Sequence, residues 1–178
     1  MKRSHFLKYL ALCLVFSSAT LIGCAQKTPA SPPATATGSI NGATITINYS
    51  SPRVKEREGK IWGQLVPYDK VWRTGANSAT VFETDKDITV QGKKLAAGKY
   101  SIYTIPTEKE WTIIFNSATG QWGINRDGST TEDPAKDVLR VTAKPKKSAA
   151  MNENFLFTVN SKGFTISWEN LDVPVSVK

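Results

Sequence analysis

The clearest periodicity in the chain is Thr44-Ile45-Thr46-Ile47-Asn48-Tyr49, where apolar and polar residues alternate strictly. That period places Ile45, Ile47 and Tyr49 on one face of a β-strand. Asn41-Gly42 before it is a tight-turn signal, and Ser50-Ser51-Pro52 ends it. Similar short runs recur at Ala79 to Glu83, at Thr89-Val90 and Lys94-Leu95 around a Gln91-Gly92 turn, at Tyr100 to Ile105 and at Trp111 to Phe115. They return at Val138 to Ala143, Phe155 to Val159, Phe164 to Trp168 and Val173 to Val177, with Ser161-Lys162-Gly163 as a hairpin turn. The Tyr100 to Ile105 and Trp111 to Phe115 segments are aromatic and β-branched on both faces, which predicts a central antiparallel hairpin covered from both sides. No amphipathic helix of ordinary length is visible. The pattern predicts an all-β domain, a single antiparallel β-sandwich or flattened barrel of about ten short strands.

Three stretches interrupt this rhythm. Arg53 to Lys60, RVKEREGK, is densely charged and reads as a solvated loop or edge segment. Trp62 to Thr80 is rich in residues with specific conformational demands. Pro67 forbids a continuous ladder there, and irregular backbone with a short helical turn near Tyr68 to Val71 is expected. Ser117 to Pro134 forms a long connection carrying Trp122-Gly123 and an Asp127-Gly128 turn, and connections of this length are more often functional or mobile than neutral.

The first residues obey a different logic. Lys2, Arg3 and Lys8 precede the largely apolar Tyr9 to Ile22, a run too short and too early for a spanning helix. It ends in Leu21-Ile22-Gly23-Cys24, which resembles a bacterial lipobox, so residues 1–23 read as a lipoprotein signal peptide and Cys24 as the lipidated N-terminus. Two or three acyl chains make a stable anchor. This places the domain in the bacterial cell envelope, on the outer face of a membrane. Ala25 is not an acidic retention signal, which favours an outer membrane where the cell has one. Ala25 to Gly38 has three Pro and one charge and reads as an extended tether, reaching up to about 40 Å in a polyproline conformation. The domain itself is then Ser39 to Lys178.

Composition excludes much. Processing would remove three of the 23 basic residues and none of the 15 acidic ones, leaving the chain modestly basic. The excess lacks the aromatic interleaving of a single-strand groove, so nucleic acid is not expected as a partner. The single His, His5, and Cys13 lie in the signal segment, and Cys24 is the lipid site. Without His or a free thiol the mature domain has no Ser-His-Asp triad, no Cys-His dyad, no His-based metal site and no disulfide. No metal and no cofactor is expected. Asn125-x-Asp127-Gly128 superficially resembles a calcium loop, but its first and twelfth positions are Gly123 and Pro134, which supply no carboxylate.

The strongest candidate site is Arg73 with Asn77. A guanidinium offers a planar fork of donors for a carboxylate or phosphate, and an amide both donates and accepts. Trp62, Tyr68, Trp72 and Trp122 supply a stacking floor for a sugar ring or aliphatic group. The structural alternative pairs Arg73 with Asp69 and places Asn77 in a left-handed turn after Gly75. A second candidate is a His-free hydrolase of an envelope glycan or ester, with Asp69 or Glu83 as base, because glycan cleavage can use two carboxylates about 5 to 9 Å apart. Asp85 and Asp87 read more simply as turn residues.

Several blocks resemble one family. They are Tyr49-Ser50-x-Pro52-x-Val54, Trp62-Gly63-x-Leu65-Val66-Pro67-Tyr68-x-x-Val71-Trp72-Arg73-Thr74-Gly75-Ala76-Asn77, Gly98-x-Tyr100-Ser101-x-x-Thr104-Ile105-Pro106, Trp111-Thr112-x-Ile114-x-Asn116 and Gln121-Trp122-Gly123. Together they resemble the bacterial DUF2911 domain, a family of unknown function, across nearly all of Ser39 to Lys178. The resemblance implies a small β-rich envelope domain, often secreted or lipid-anchored, and no particular activity. The Lys55-Glu56-Arg57-Glu58 run is longer than the corresponding part of that pattern. The resulting expectation is a non-catalytic binding or interaction module for an envelope glycan, peptide or protein. Hydrolase and purely structural subunit of an envelope complex stand as alternatives.

Overall fold

The computed structural model describes residues 29–178. The signal segment, Cys24 and the first residues of the tether lie outside the described residues. Ten antiparallel strands follow: β1 Pro33–Ile40, β2 Ala43–Ser50, β3 Thr80–Thr84, β4 Ile88–Val90, β5 Lys93–Leu95, β6 Gly98–Ile105, β7 Trp111–Asn116, β8 Asp137–Ala143, β9 Lys146–Asn160 and β10 Gly163–Ser176. The only helical element among the described residues is a short 3-10 turn at Pro134–Lys136.

One layer is a six-stranded sheet in the order β1-β2-β3-β6-β7-β8. The other is built from β9 paired with β10 and β4 paired with β5, and a Val90 to Val177 bridge joins the two pairs. The arrangement is sandwich-like and not closed. Alternation does the work the sequence predicts: Ala43, Ile45 and Ile47 of β2 point inward, as do Phe82 of β3 and Trp111, Ile113 and Phe115 of β7. From the opposite layer Phe155, Phe157, Phe164, Ile166, Trp168 and Val175 meet them. Each such side chain contributes about 1.5–3 kcal/mol on leaving water.

The central hairpin is covered on both faces, as its composition predicts. Five consecutive residues of β6, Tyr100 to Thr104, are buried. Its back face carries Tyr103, which joins Ile114 and Ala79 in a small second cluster. The Ser117 to Pro134 connection lies over it: Gln121 donates from Nε2 to the Tyr103 hydroxyl at 2.9 Å, and Ala79 N–H donates to Gln121 O at 3.1 Å.

Three expectations need correction. Pro33 to Gly38 is not tether but most of β1, paired residue by residue with β2 from Pro33 opposite Ser50 to Ile40 opposite Ala43. An edge strand tolerates Pro, whose missing N–H costs nothing on the unpaired side, and Ala36 and Ile40 give it an inward face. The stretch left for a tether is therefore much shorter than the fourteen residues Ala25 to Gly38. The helical turn near Tyr68 to Val71 is absent, because Asp69 adopts φ 59° and the chain makes a tight turn there instead of winding into a helix. The last strands are longer than their apolar cores, since Phe164 to Trp168 and Val173 to Val177 belong almost wholly to one strand, β10, bulged around Glu169.

Candidate functional site

At the end of the sandwich where β1 begins and β2 ends, the irregular chain between Ser51 and Ala79 folds over the sheet and leaves a groove of about 590 Å³. Its floor is aromatic. Trp168 is buried and stacks nearly parallel on the half-buried Trp72, centroids 6.1 Å apart at 15°. Trp62 crosses Trp111 and Trp168 edge-on at 5.0 and 5.7 Å. Offset and edge-to-face pairs of this kind add about 0.5–1.5 kcal/mol beyond burial. The indole N–H groups of Trp62, Trp111 and Trp168 have no acceptor among the described residues.

Trp72 is held by backbone bonds to β6: its N–H donates to Thr104 O at 2.7 Å and its carbonyl accepts from Thr104 N–H at 2.9 Å. The next turn is pinned by its own hydroxyls. Thr74 Oγ1 bonds Trp72 O and Thr104 Oγ1 at 3.2 and 3.1 Å, and Thr80 Oγ1 donates to Thr74 O at 2.6 Å. Arg73, between these anchors, faces the groove. Its guanidinium lies 5.9 Å from the centre of the Trp122 ring, and its Nη1 reaches Trp122 O at a long 3.5 Å. No carboxylate pairs with Arg73 among the described residues, since the ion pairs there are Lys99–Glu83, Lys136–Asp133 and those of Arg140 with Glu132 and Asp137. Partial burial lowers the Arg73 pKa from its ordinary value, and the group stays cationic.

Gly123 allows this approach. Its φ is 90°, and a Cβ there would lie 2.6 Å from Arg73 Cβ and 2.9 Å from Arg73 Cδ. Only glycine lets the Trp122 loop close against the arginine stem.

Three further cations line the groove: Arg53, Lys55 and Arg57. Backbone pairing delivers them, with Phe155 N–H donating to Pro52 O and Val54 N–H to Glu153 O, both at 2.8 Å. Arg57 is partly spent on the turn, donating from Nε to Val54 O at 2.8 Å and from Nη2 to Arg53 O at 2.5 Å. Among the described residues the lining holds no Asp or Glu, and Leu65, Val66, Val71 and Ile124 form apolar walls. Such a surface suits an anion carrying an apolar or flat body.

The six candidate residues thus separate. Arg73 and Trp72 line the groove, and Trp122 stands beside it, 55% exposed. Asn77 belongs to the scaffold. At φ 55° it donates from Nδ2 to Ser31 O and Ser50 Oγ at 3.1 and 3.2 Å, holding the N-terminal segment to the domain. Trp62 sits within the aromatic cluster. Tyr68 packs against Gly63 and borders a separate depression with Asp69, Thr107, Glu108 and Lys109. There burial, then Glu108 and Glu169, raise the Tyr68 pKa above its ordinary value. The Asp69–Arg73 pair does not form. Sequence reasoning missed Arg53, Lys55, Arg57 and Trp168; the charge run from Arg53 carried a signal, but it reads as a solvated face.

Of the acids proposed as bases, Glu83 pairs across the sheet with Lys99 at 3.1 Å and Asp69 occupies an exposed turn. The carboxylates that do meet are Glu132 and Asp137. Arg140 bridges them at 2.8 and 2.6 Å, and Asn116 Nδ2 donates to Asp137 Oδ1 at 2.7 Å. Burial, then the Asp137 charge, raise the Glu132 pKa, while Arg140 opposes them. A carboxyl that holds its proton more tightly when folded adds stability below its unfolded pKa and loses it as pH rises through the folded value. Glu132→Gln is therefore expected to gain melting temperature relative to the wild type over the interval in which pH rises through and above the ordinary carboxylate range. If the wild type instead gains on the variant over that interval, the Arg140 ion pair dominates. Among the described residues no group of three or more His, Cys, Asp or Glu is placed to hold a metal ion.

Fold and groove define a small antiparallel β domain with a basic, tryptophan-floored cleft at one end. The chain belongs to the DUF2911 family of proteins of unknown function, whose model matches residues 31–177. No curated protein and no solved structure matched it.

Proposed function

We propose that this is a binding module of the bacterial cell envelope, carried on the outer face of a membrane by lipidated Cys24, and that its groove takes an anionic ligand with an apolar or planar body. The observation that carries the reading is Arg73: a half-buried guanidinium facing a groove lined by four cations and no acid. Half-burying a charge without an opposite partner is unfavourable, and an incoming carboxylate or phosphate relieves that cost through two parallel hydrogen bonds. Trp72 then stacks on the ligand body. Because no carboxylate lines the groove, we favour binding over hydrolysis there.

The test is a thermal-shift screen of the signal-free chain against anionic glycan fragments, short peptides with free C-termini, dicarboxylates and phosphates, with Arg73→Gln in parallel. A ligand at 100 times its Kd is expected to add about 2.7 kcal/mol to the wild type, a shift of several degrees, and nothing comparable to a folded Arg73→Gln. No shift from any class would refute the ligand site and favour a structural role within an envelope complex.

A further inference from the structure

The groove end is also where the chain leaves toward Cys24, and this leads to a specific partner for the cleft proposed above. Ala30 and Ser31 line the groove. Ser31 O accepts from Asn77 Nδ2 and Pro32 O accepts from Ser51 N–H at 2.9 Å, so the segment is fastened there. From Cys24 to Ala30 the chain spans at most about 20 Å at 3.3–3.6 Å per residue, however it is arranged. By contrast the β9–β10 turn at Ser161 to Gly163 lies at the opposite end of the sandwich, about 27 Å away along strands the length of β2. A bilayer holding Cys24 is therefore within reach of the groove end, and the turn is the end of the domain farther from it.

The surface around the groove matches a bilayer in composition. Five large hydrophobic side chains are exposed among the described residues, and three gather here: Leu65 and Ile124 line the groove, and Trp122 lies beside Arg73. Around them stand Arg53, Lys55, Arg57 and Arg73 with no acid in the lining. Cations near an anionic surface are each worth about fivefold in partitioning, Trp favours the headgroup level, and apolar side chains add burial below it.

We infer that the groove end is a membrane-docking face, its cleft receiving the anionic headgroup of a phospholipid from the bilayer that anchors Cys24. The inference rests on the binding reading above and names its ligand. Leu65, Trp122 and Ile124 enter the headgroup layer, and the four cations neutralise the phosphates over it.

The test uses the signal-free mature chain with Cys24→Ser, so that no acyl chain contributes, in flotation with phosphatidylcholine vesicles that contain or lack phosphatidylglycerol. The chain is expected to float with the anionic vesicles only, and increasingly less as salt is raised. Arg53→Gln with Lys55→Gln, both at exposed positions, is expected to weaken partitioning about 30-fold, while Lys162→Gln at the far end changes it less than twofold. Equal losses from both variants, or no loss from the double variant, would overturn the docking face. Thermal shifts with inorganic phosphate and glycerol 1-phosphate separate the two ideas. A phosphate shift without flotation leaves a soluble-anion cleft and refutes the membrane partner; neither shift nor flotation refutes both.

Discussion

Trp168→Ala is expected to destabilise the domain by about 3–5 kcal/mol, a large share of the about 5–15 kcal/mol that holds a domain of this size together. Trp168 is 2% exposed and contacts Trp62, Trp72 and Phe155 at centroid distances of 5.7, 6.1 and 5.8 Å. Truncation leaves a hole between two rings that are themselves pinned, Trp72 by its backbone bonds to Thr104, so the site cannot collapse to fill it. Trp168→Phe tests a subtler point. It removes volume but also deletes an indole donor that has no acceptor among the described residues, and an unsatisfied buried donor costs about 1–3 kcal/mol. The Phe variant should therefore lose much less than the Ala variant in urea unfolding. A Phe variant as damaged as the Ala variant would show that the indole N–H is satisfied in solution.

Gly163→Ala is expected to be comparably severe. Gly163 sits at φ 145° where β9 turns into β10, and a Cβ there would lie 2.0 Å from Val175 O and 2.9 Å from Val177 N. The obstacles are backbone atoms of the strand end, and they cannot swing aside as a side chain can. Accommodating the methyl requires moving that segment off its bonds to Lys162 and Thr89, which breaks the bridge from β10 to β4. A soluble variant melting within a few degrees of the wild type would contradict this reading. Lys162→Ala, one residue away and exposed, should change stability by no more than about 0.5 kcal/mol.

Strands that bury one face wrote themselves into the sequence. Ile45 and Ile47 alternate with Thr44 and Thr46, and the doubly covered Tyr100 to Ile105 and Trp111 to Phe115 announce themselves by having no polar face. β1 did not, because Ala, Thr and Pro at an edge need little apolar surface: its order comes from pairing with β2, and pairing leaves no local trace. The polar first half of β9 is ordered in the same way by β10. The groove was legible in half. Arg73 and Trp72 stood out as a forked cation beside a ring, but Arg53, Lys55 and Arg57 reach them only through bonds between residues about a hundred positions apart. The expected Asp69–Arg73 pair required a helix to bring residues four apart onto one face, and the left-handed turn at Asp69 removes that geometry.

The early start of β1 also sets how the domain bears a load. Tension on the N-terminal segment enters at Ser31 and Pro32, where Asn77 and Ser51 clamp the chain, and is passed to β1 along its own axis. All the rungs of the eight-residue ladder with β2 then resist together in shear, instead of opening one after another as in a zipper. A pull on that segment thus meets the sheet in the direction in which it is strongest.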